Sequence, residues 1–274
     1  MISFSIIPSV QAKFVLERLF KMSPFRRPLA IFSILKYKCK LKQQSKFFIY
    51  RKGVFFMKNN NLIEMVFILD RSGSMGGLEA DTIGGFNSML KKQKEEEGDA
   101  LVTTVLFDHE IITLHDRIPI KDVPEMSNKD YTVRGCTALI DAIGKTIDHI
   151  SSIHKYAREE DIPQKTLFII TTDGLENASR IYSSNDVKEK INQKQKENWE
   201  FVFIGANIDA VETASHFGIN EENAVNYNAD KKGTKTLFSA LSKKASMARN
   251  SSAEACYAPM SWREELDEDF NSRN

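Results

Sequence analysis

Three cysteines in 274 residues, Cys39, Cys136 and Cys256, are too few, too scattered and odd in number for a disulfide framework or a zinc cluster. Their scarcity points to a reducing compartment. Thirteen glycines and seven prolines exclude collagen-like and proline-rich classes. Long apolar runs are also missing. The stretch at 14–20 is broken by Glu17 and Arg18, and the one at 29–35 stops at Lys36, so neither reaches the roughly 20 residues of a bilayer-spanning helix. The first dozen residues have no basic region ahead of their apolar run, so a secretory signal is not expected and a cytoplasmic location is. The histidines, at 109, 115, 149, 154 and 216, show no metal-ligand spacing.

What is present is a globular composition, 42% hydrophobic and 27% charged, at a length that suits one domain with additions or two small ones. The net charge of +1 hides a division. Residues 1–57 hold 12 basic side chains against the single acid Glu17, together with nine of the 18 phenylalanines, whereas the remainder holds 26 basic and 36 acidic residues. A basic arm of this kind suits nucleic acid or an anionic membrane surface. The competing reading is that Lys52-Gly53-Val54 reflects a purine-rich ribosome-binding sequence ahead of a start at Met57. On that reading residues 1–57 are not part of the native product, and neither nucleic acid nor membrane is expected as a partner. The expected organisation is then a domain over 58–250 and a polar C-terminal tail over 251–274.

From residue 61 the pattern becomes periodic. The continuous apolar run 65–69 reads as a strand buried on both faces and stops at Asp70. Ile83, Phe86, Met89 and Leu90 then recur at helical spacing. Residues 101–107 and 111–118 read as a hairpin around a tight turn at 108–110, and 119–134 is polar without a period. A helix carries Ile140, Ile143, Ile147 and Ile150; short strands follow at 167–170, 201–204 and 224–227, with helices over 184–197, from an Asp209 cap to Phe217, and over 234–249. Alternating strands and helices of this kind predict a doubly wound α/β fold. It consists of a mainly parallel six-stranded sheet with one antiparallel edge strand and helices on both faces.

In such a sheet a ligand sits beyond the carboxyl ends of the strands where strand order reverses. The first strand ends at Asp70 and the fourth near Asp173. In the loop DRSGS, Asp70, Ser72 and Ser74 alternate and can turn their oxygens to one side. With Thr137 at a helix start and Asp173 in TTDG they form an oxygen-only set, which favours a hard divalent ion over zinc or copper. The commonplace alternative is that these five residues cap helices and turns. The motif D-x-S-x-S, followed by a distant Thr and a distant Asp in these contexts, resembles the metal-ion-dependent adhesion site of the von Willebrand factor type A domain family. The resemblance covers residues 61–249. It implies that Ser72, Ser74 and Thr137 ligate Mg²⁺ or Mn²⁺ directly while Asp70 and Asp173 act mainly through water. It further implies a metal-dependent protein-interaction module of intracellular bacterial type, whose partner supplies an Asp or Glu carboxylate to the ion.

No nucleotide-binding glycine loop, phosphate loop or nucleophile elbow is present, so an enzyme is not expected. The alternative is a Mg²⁺-dependent phosphatase or phosphotransferase with Asp70 as nucleophile. Against it, Ser72 stands where haloacid-dehalogenase-type enzymes carry a second Asp. Weaker candidates are Asn207 and Asp209 as an outer shell, with Asp209 more simply an N-cap, and Glu176 and Asn177 as a partner-selecting rim or a solvated loop. Cys136 is expected to be an inert packed thiol.

Overall fold

The apolar run at 65–69 lies within β1, Ile63–Asp70, and all eight of its residues are buried. Successive strand residues point to opposite faces. Met65, Phe67 and Leu69 accordingly join one hydrophobic layer, and Val66 and Ile68 join the other. This computed structural model describes residues 62–250 and 261–273, together with the backbone of an antiparallel strand pair, Phe48–Tyr50 and Gly53–Phe55. The chain divides into two units, Met1–Asn59 and Asn60–Asn274. Apart from those two strands, the expectation for residues 1–57 lies outside the described residues.

After β1 come α1 (Glu79–Glu95), β2 (Ala100–Phe107), β3 (Ile111–Pro119), α2 (Leu139–Tyr156), β4 (Lys165–Thr172), α3 (Ser184–Gln195) and β5 (Trp199–Gly205). The chain closes with α4 (Ala210–His216), β6 (Ala224–Asn226), α5 (Lys231–Arg249) and α6 (Glu264–Asn271). The sheet order is β3-β2-β1-β4-β5-β6, parallel throughout except for the β2–β3 hairpin. The expected fold class is therefore the observed one. Helices α1, α5 and α6 cover one face, through Phe86, Leu241 and Leu266 among others, and α2, α3 and α4 cover the other through Ile143, Ile191 and Ala214.

Two segments differ from the sequence reading. The stretch 119–134, without a period, nevertheless buries Ile120, Val123, Met126 and Tyr131. The second half of the supposed polar tail packs as well: Trp262 is fully buried, Leu266 joins the same core layer, and Lys243 pairs with Glu265 at 2.5 Å. Its buried apolar anchors, Trp262 just ahead of α6 and Leu266 within it, stand one helical turn apart beside five acids, too few to stand out as a period.

A buried carboxyl group sits near the start of β1. Glu64 is fully enclosed, with Arg117 Nε at 2.8 Å and His154 Nε2 at 2.6 Å from its two carboxylate oxygens. Arg117 lies within a register shift of the β2–β3 ladder, between the pairs Val102–Ile118 and Thr104–His115, and adopts φ 49°, a left-handed conformation unusual for arginine.

Candidate metal centre

The order of strands reverses between β1 and β4, with β2 on one side of β1 and β4 on the other. Leu69 pairs with Thr171 across that boundary, so the chain leaves both strands at the same level, at Asp70 and Thr172. This is the crevice where open α/β sheets bind ligands.

Asp70 is 1% exposed and both its carboxylate oxygens are engaged: Oδ1 accepts from the Ser72 amide at 2.7 Å and Oδ2 from the Thr172 hydroxyl at 2.6 Å. The Tyr131 hydroxyl donates to its carbonyl oxygen. The alternating serines do turn together, with Ser72 Oγ 3.1 Å from Ser74 Oγ, and Ser74 Oγ donates to Asp173 Oδ1 at 2.6 Å. Ser72 is buried and Ser74 is exposed, so the cluster opens on the Ser74 side.

Thr137 reaches this cluster through a loop zipped to the first. Arg134 donates its amide to the Arg71 carbonyl at 2.9 Å, and Gly73 donates to the Gly135 carbonyl at 3.1 Å. At Gly135, φ is 68° and a Cβ would lie 2.1 Å from His109 Nδ1, so glycine is favoured by its backbone and a larger residue would displace the His109 ring. Gly174 joins the three chain segments: a Cβ there would stand 3.4 Å from Ser74 Oγ and 3.7 Å from Thr137 Oγ1. Asn177 Oδ1 accepts from the Thr137 amide at 2.9 Å. The five residues picked from the sequence thus converge on one end of the sheet.

Sequence reasoning missed the group that holds the two loops together. Asp108, fully buried at the end of β2, lies 3.2 Å from Arg71 Nη2 and 3.0 Å from Arg134 Nε, and its carbonyl accepts from the Ala138 amide at 2.9 Å. Thr172 and Tyr131 were missed too. The only sequence signal for Thr172 is a hydroxyl residue immediately before the strand-end Asp, and Tyr131 lies in the stretch without a period.

The capping alternative does not hold for the hydroxyl residues. Neither Ser72 nor Ser74 caps α1, whose N-cap is Leu78, and Thr137 precedes the α2 N-cap, Ala138, which makes no side-chain bond. The first turn of α2 is instead satisfied from a distance: Glu176 accepts from the Ile140 amide at 2.8 Å and Ser179 Oγ from the Asp141 amide at 2.9 Å. Glu176 is therefore neither a solvated loop residue nor a free rim group. Asp209 caps α4 through the Glu212 amide at 2.9 Å, and Asn207 donates to the Asp173 carbonyl at 3.3 Å. Cys136 is exposed, contrary to the packed thiol expected, because the loop that presents Thr137 turns its neighbour outward.

The charge in the cleft is uncompensated. Asp173 Oδ2 is buried without a hydrogen-bond partner among the described residues. Burial, only partly opposed by the Ser74 hydrogen bond and reinforced by the nearby Asp70 charge, pushes the Asp173 carboxyl up to about 6. Burial also raises Asp70, against hydrogen bonds from Thr172 and Ser72. Among the described residues no three His, Cys, Asp or Glu side chains gather as a metal cluster, so the set relies on hydroxyls.

No family model matches the sequence, and no curated protein does. Solved structures do match. The pilus adhesin SpaC from Lactobacillus rhamnosus GG superposes with a TM-score of 0.53 at 9% identity, covering 69% of this chain and 30% of that one. The vWF domain of the type V pili tip protein Mfa5 from Porphyromonas gingivalis gives 0.51 at 12% identity, covering 69% and 97%. Proximal thread matrix protein 1 from the mussel byssus gives 0.45 at 18% identity, and this chain spans less than half of its length, 46%. The SpaC and Mfa5 superpositions show the fold: the six-stranded mixed sheet with its flanking helices is that of von Willebrand factor type A domains. Among the described residues no helix is long and apolar enough to cross a membrane.

Proposed function

We propose that this domain is a protein-interaction module dependent on a divalent cation, Mg²⁺ or Mn²⁺. Ser72, Ser74 and Thr137 would hold the ion directly, and Asp70 and Asp173 mainly through water. The observation that carries the reading is Asp173, whose buried Oδ2, unpartnered among the described residues, lies beside a cluster of hydroxyl oxygens and near a second buried carboxylate. Two acids balance a divalent charge, and an all-oxygen donor set suits a hard cation. When bound, such an ion supplies an electrophilic position that a carboxylate can occupy. A Glu or Asp side chain from a partner protein is therefore the expected complement.

Asp70 is a poor nucleophile here, since it is buried and both its oxygens accept hydrogen bonds. That supports interaction over phosphoryl transfer. The scarcity of cysteine and the exposed thiol of Cys136 suit a reducing compartment, and we assign the protein to the bacterial cytoplasm.

Titration calorimetry of the full chain with MgCl₂ and MnCl₂ tests the reading. One site is expected, absent in Asp173→Ala at unchanged circular dichroism. Unaltered binding in that variant would refute the assignment.

A further inference from the structure

We infer that the loop leaving β4, residues 174–183, is the docking surface for an acidic and apolar peptide segment of a partner protein. On this inference, a hydrophobic side chain of the partner, next to its metal-bound acid, packs on Leu175 and Ile181. This rests on the metal-dependent reading above and specifies the partner it selects.

Four large hydrophobic side chains are exposed among the described residues, and two of them, Leu175 at 68% and Ile181 at 60%, belong to this loop. A mobile loop would make such exposure ordinary, but this one is fixed. Asn177 and Ala178 donate their amides to the Thr137 carbonyl at 3.0 and 3.2 Å. Glu176 accepts from the Ala178 and Ser179 amides as well as from Ile140. Asp141 accepts from three successive amides, Arg180, Ile181 and Tyr182, each at 2.9 Å.

These bonds lay the loop along the first turns of α2, from Thr137 past Asp141 to Gly144, where the Tyr182 ring packs inward. The same backbone that packs a half-buried Tyr182 against the core therefore turns Leu175 and Ile181 to solvent. Apolar side chains held rigidly in water lose little entropy on binding, which is the property of an interface anchor.

Charge sets the other half of the partner's chemistry. Arg180, exposed between the two apolar residues, forms no ion pair among the described residues. Glu176, the loop's one acid, is turned onto the α2 amides. Leu175 directly follows Gly174, the residue beside the Ser74 and Thr137 hydroxyls. A segment with one acid at the ion, a second acid near Arg180 and an apolar residue between them matches this sequence of features.

The test is to pan a random 12-residue peptide phage library on the full chain in Mn²⁺, in EDTA, and on the Leu175→Ser/Ile181→Ser double variant in Mn²⁺. Wild type in Mn²⁺ is expected to enrich peptides with Asp or Glu within three residues of Leu, Ile, Met or Phe. Those peptides should bind the double variant at least tenfold more weakly, at unchanged melting temperature and unchanged Mn²⁺ affinity. Equal binding by the double variant, enriched peptides with no apolar neighbour to the acid, or no enrichment on metal-loaded wild type would overturn the inference. So would a metal-loaded dimer in sedimentation that the double variant abolishes, since the occupant would then be a second copy of this chain. Enrichment of the same peptides in EDTA, lost in the double variant, would uphold the docking surface and overturn the metal-dependent reading beneath it.

Discussion

Ser74 and Asp173 lie 99 positions apart and meet with Oγ 2.6 Å from Oδ1, so the loop after β1 and the end of β4 are bonded at the crevice where strand order reverses. The bond leaves the second oxygen of Asp173 buried and unpartnered among the described residues. A site with this residual demand for positive charge is expected to behave differently with and without a cation.

Removing the buried anchor of both loops should disable the site. Asp108→Ala leaves the enclosed Arg71 guanidinium without its carboxylate, and breaking a buried pair from one side costs about 3–5 kcal/mol. Urea unfolding is expected to show a loss of that order. Calorimetry below the melting temperature should show weakened Mg²⁺ binding, because Arg71 and Arg134 no longer tie the DRSGS loop to the Thr137 loop. Wild-type affinity in the variant would make Asp108 purely a stability residue.

Acidity should act on the site with a definite sign. Asp173 has its carboxyl raised to about 6 in the metal-free fold, so between its ordinary value near 3.8 and 6 the folded state binds the proton more tightly than the unfolded chain. Metal-free protein should therefore lose stability from this group as pH rises through that window, and Asp173→Asn should lack that slope. Metal requires the deprotonated acid, so Mg²⁺ affinity should fall below pH 6, toward about tenfold per unit. Calorimetry at pH 5 and 7.5 reads the metal effect. An affinity independent of pH would show that Asp173 takes no part. His115 works in the opposite sense on stability: burial lowers it, so its contribution is present above 6.5 and is lost as pH falls from there toward its lowered value.

Gly174 offers a steric test. A Cβ at this position makes ordinary contact with Ser74 Oγ and Thr137 Oγ1, and its backbone is not left-handed. Gly174→Ala should leave stability unchanged or raised by about 0.4–1 kcal/mol through the unfolded state. Its methyl group crowds the hydroxyls, and metal affinity is expected to drop about tenfold, or roughly 1.4 kcal/mol. Equal metal affinity in thermal-shift titrations would argue that the ion lies away from these two oxygens.

The opposite end of the sheet should matter for stability alone. Arg117→Ala takes from the enclosed Glu64 its guanidinium partner and should cost about 3 kcal/mol in urea unfolding. Metal affinity should be unchanged, because β1 separates Glu64 from Asp70 by its full length. A parallel loss of metal binding would mean that the two ends are coupled.

The strands were legible because burial on both faces writes an unbroken apolar run, and the five candidate residues because they stand at a strand end, in the loop that leaves it or just before a helix. What escaped is held by long-range pairing that leaves no local period. Glu176 and Ser179 satisfy the start of α2 from another loop, and Asp108 looks like a hairpin-turn residue until Arg71 and Arg134 are seen around it. Trp262 and Leu266 vanished among acids for the same reason. The exposure of Cys136 follows from a loop path that Gly135 permits and that residue type alone does not specify.

Anomalous diffraction from crystals soaked in Mn²⁺ would locate the ion itself. One strong peak is expected about 2.1–2.3 Å from the hydroxyl oxygens of Ser72, Ser74 and Thr137, with Asp70 and Asp173 one water further out. A fully occupied Mn²⁺ peak elsewhere on the domain, or none at this cleft at saturating Mn²⁺, would contradict this placement of the ion.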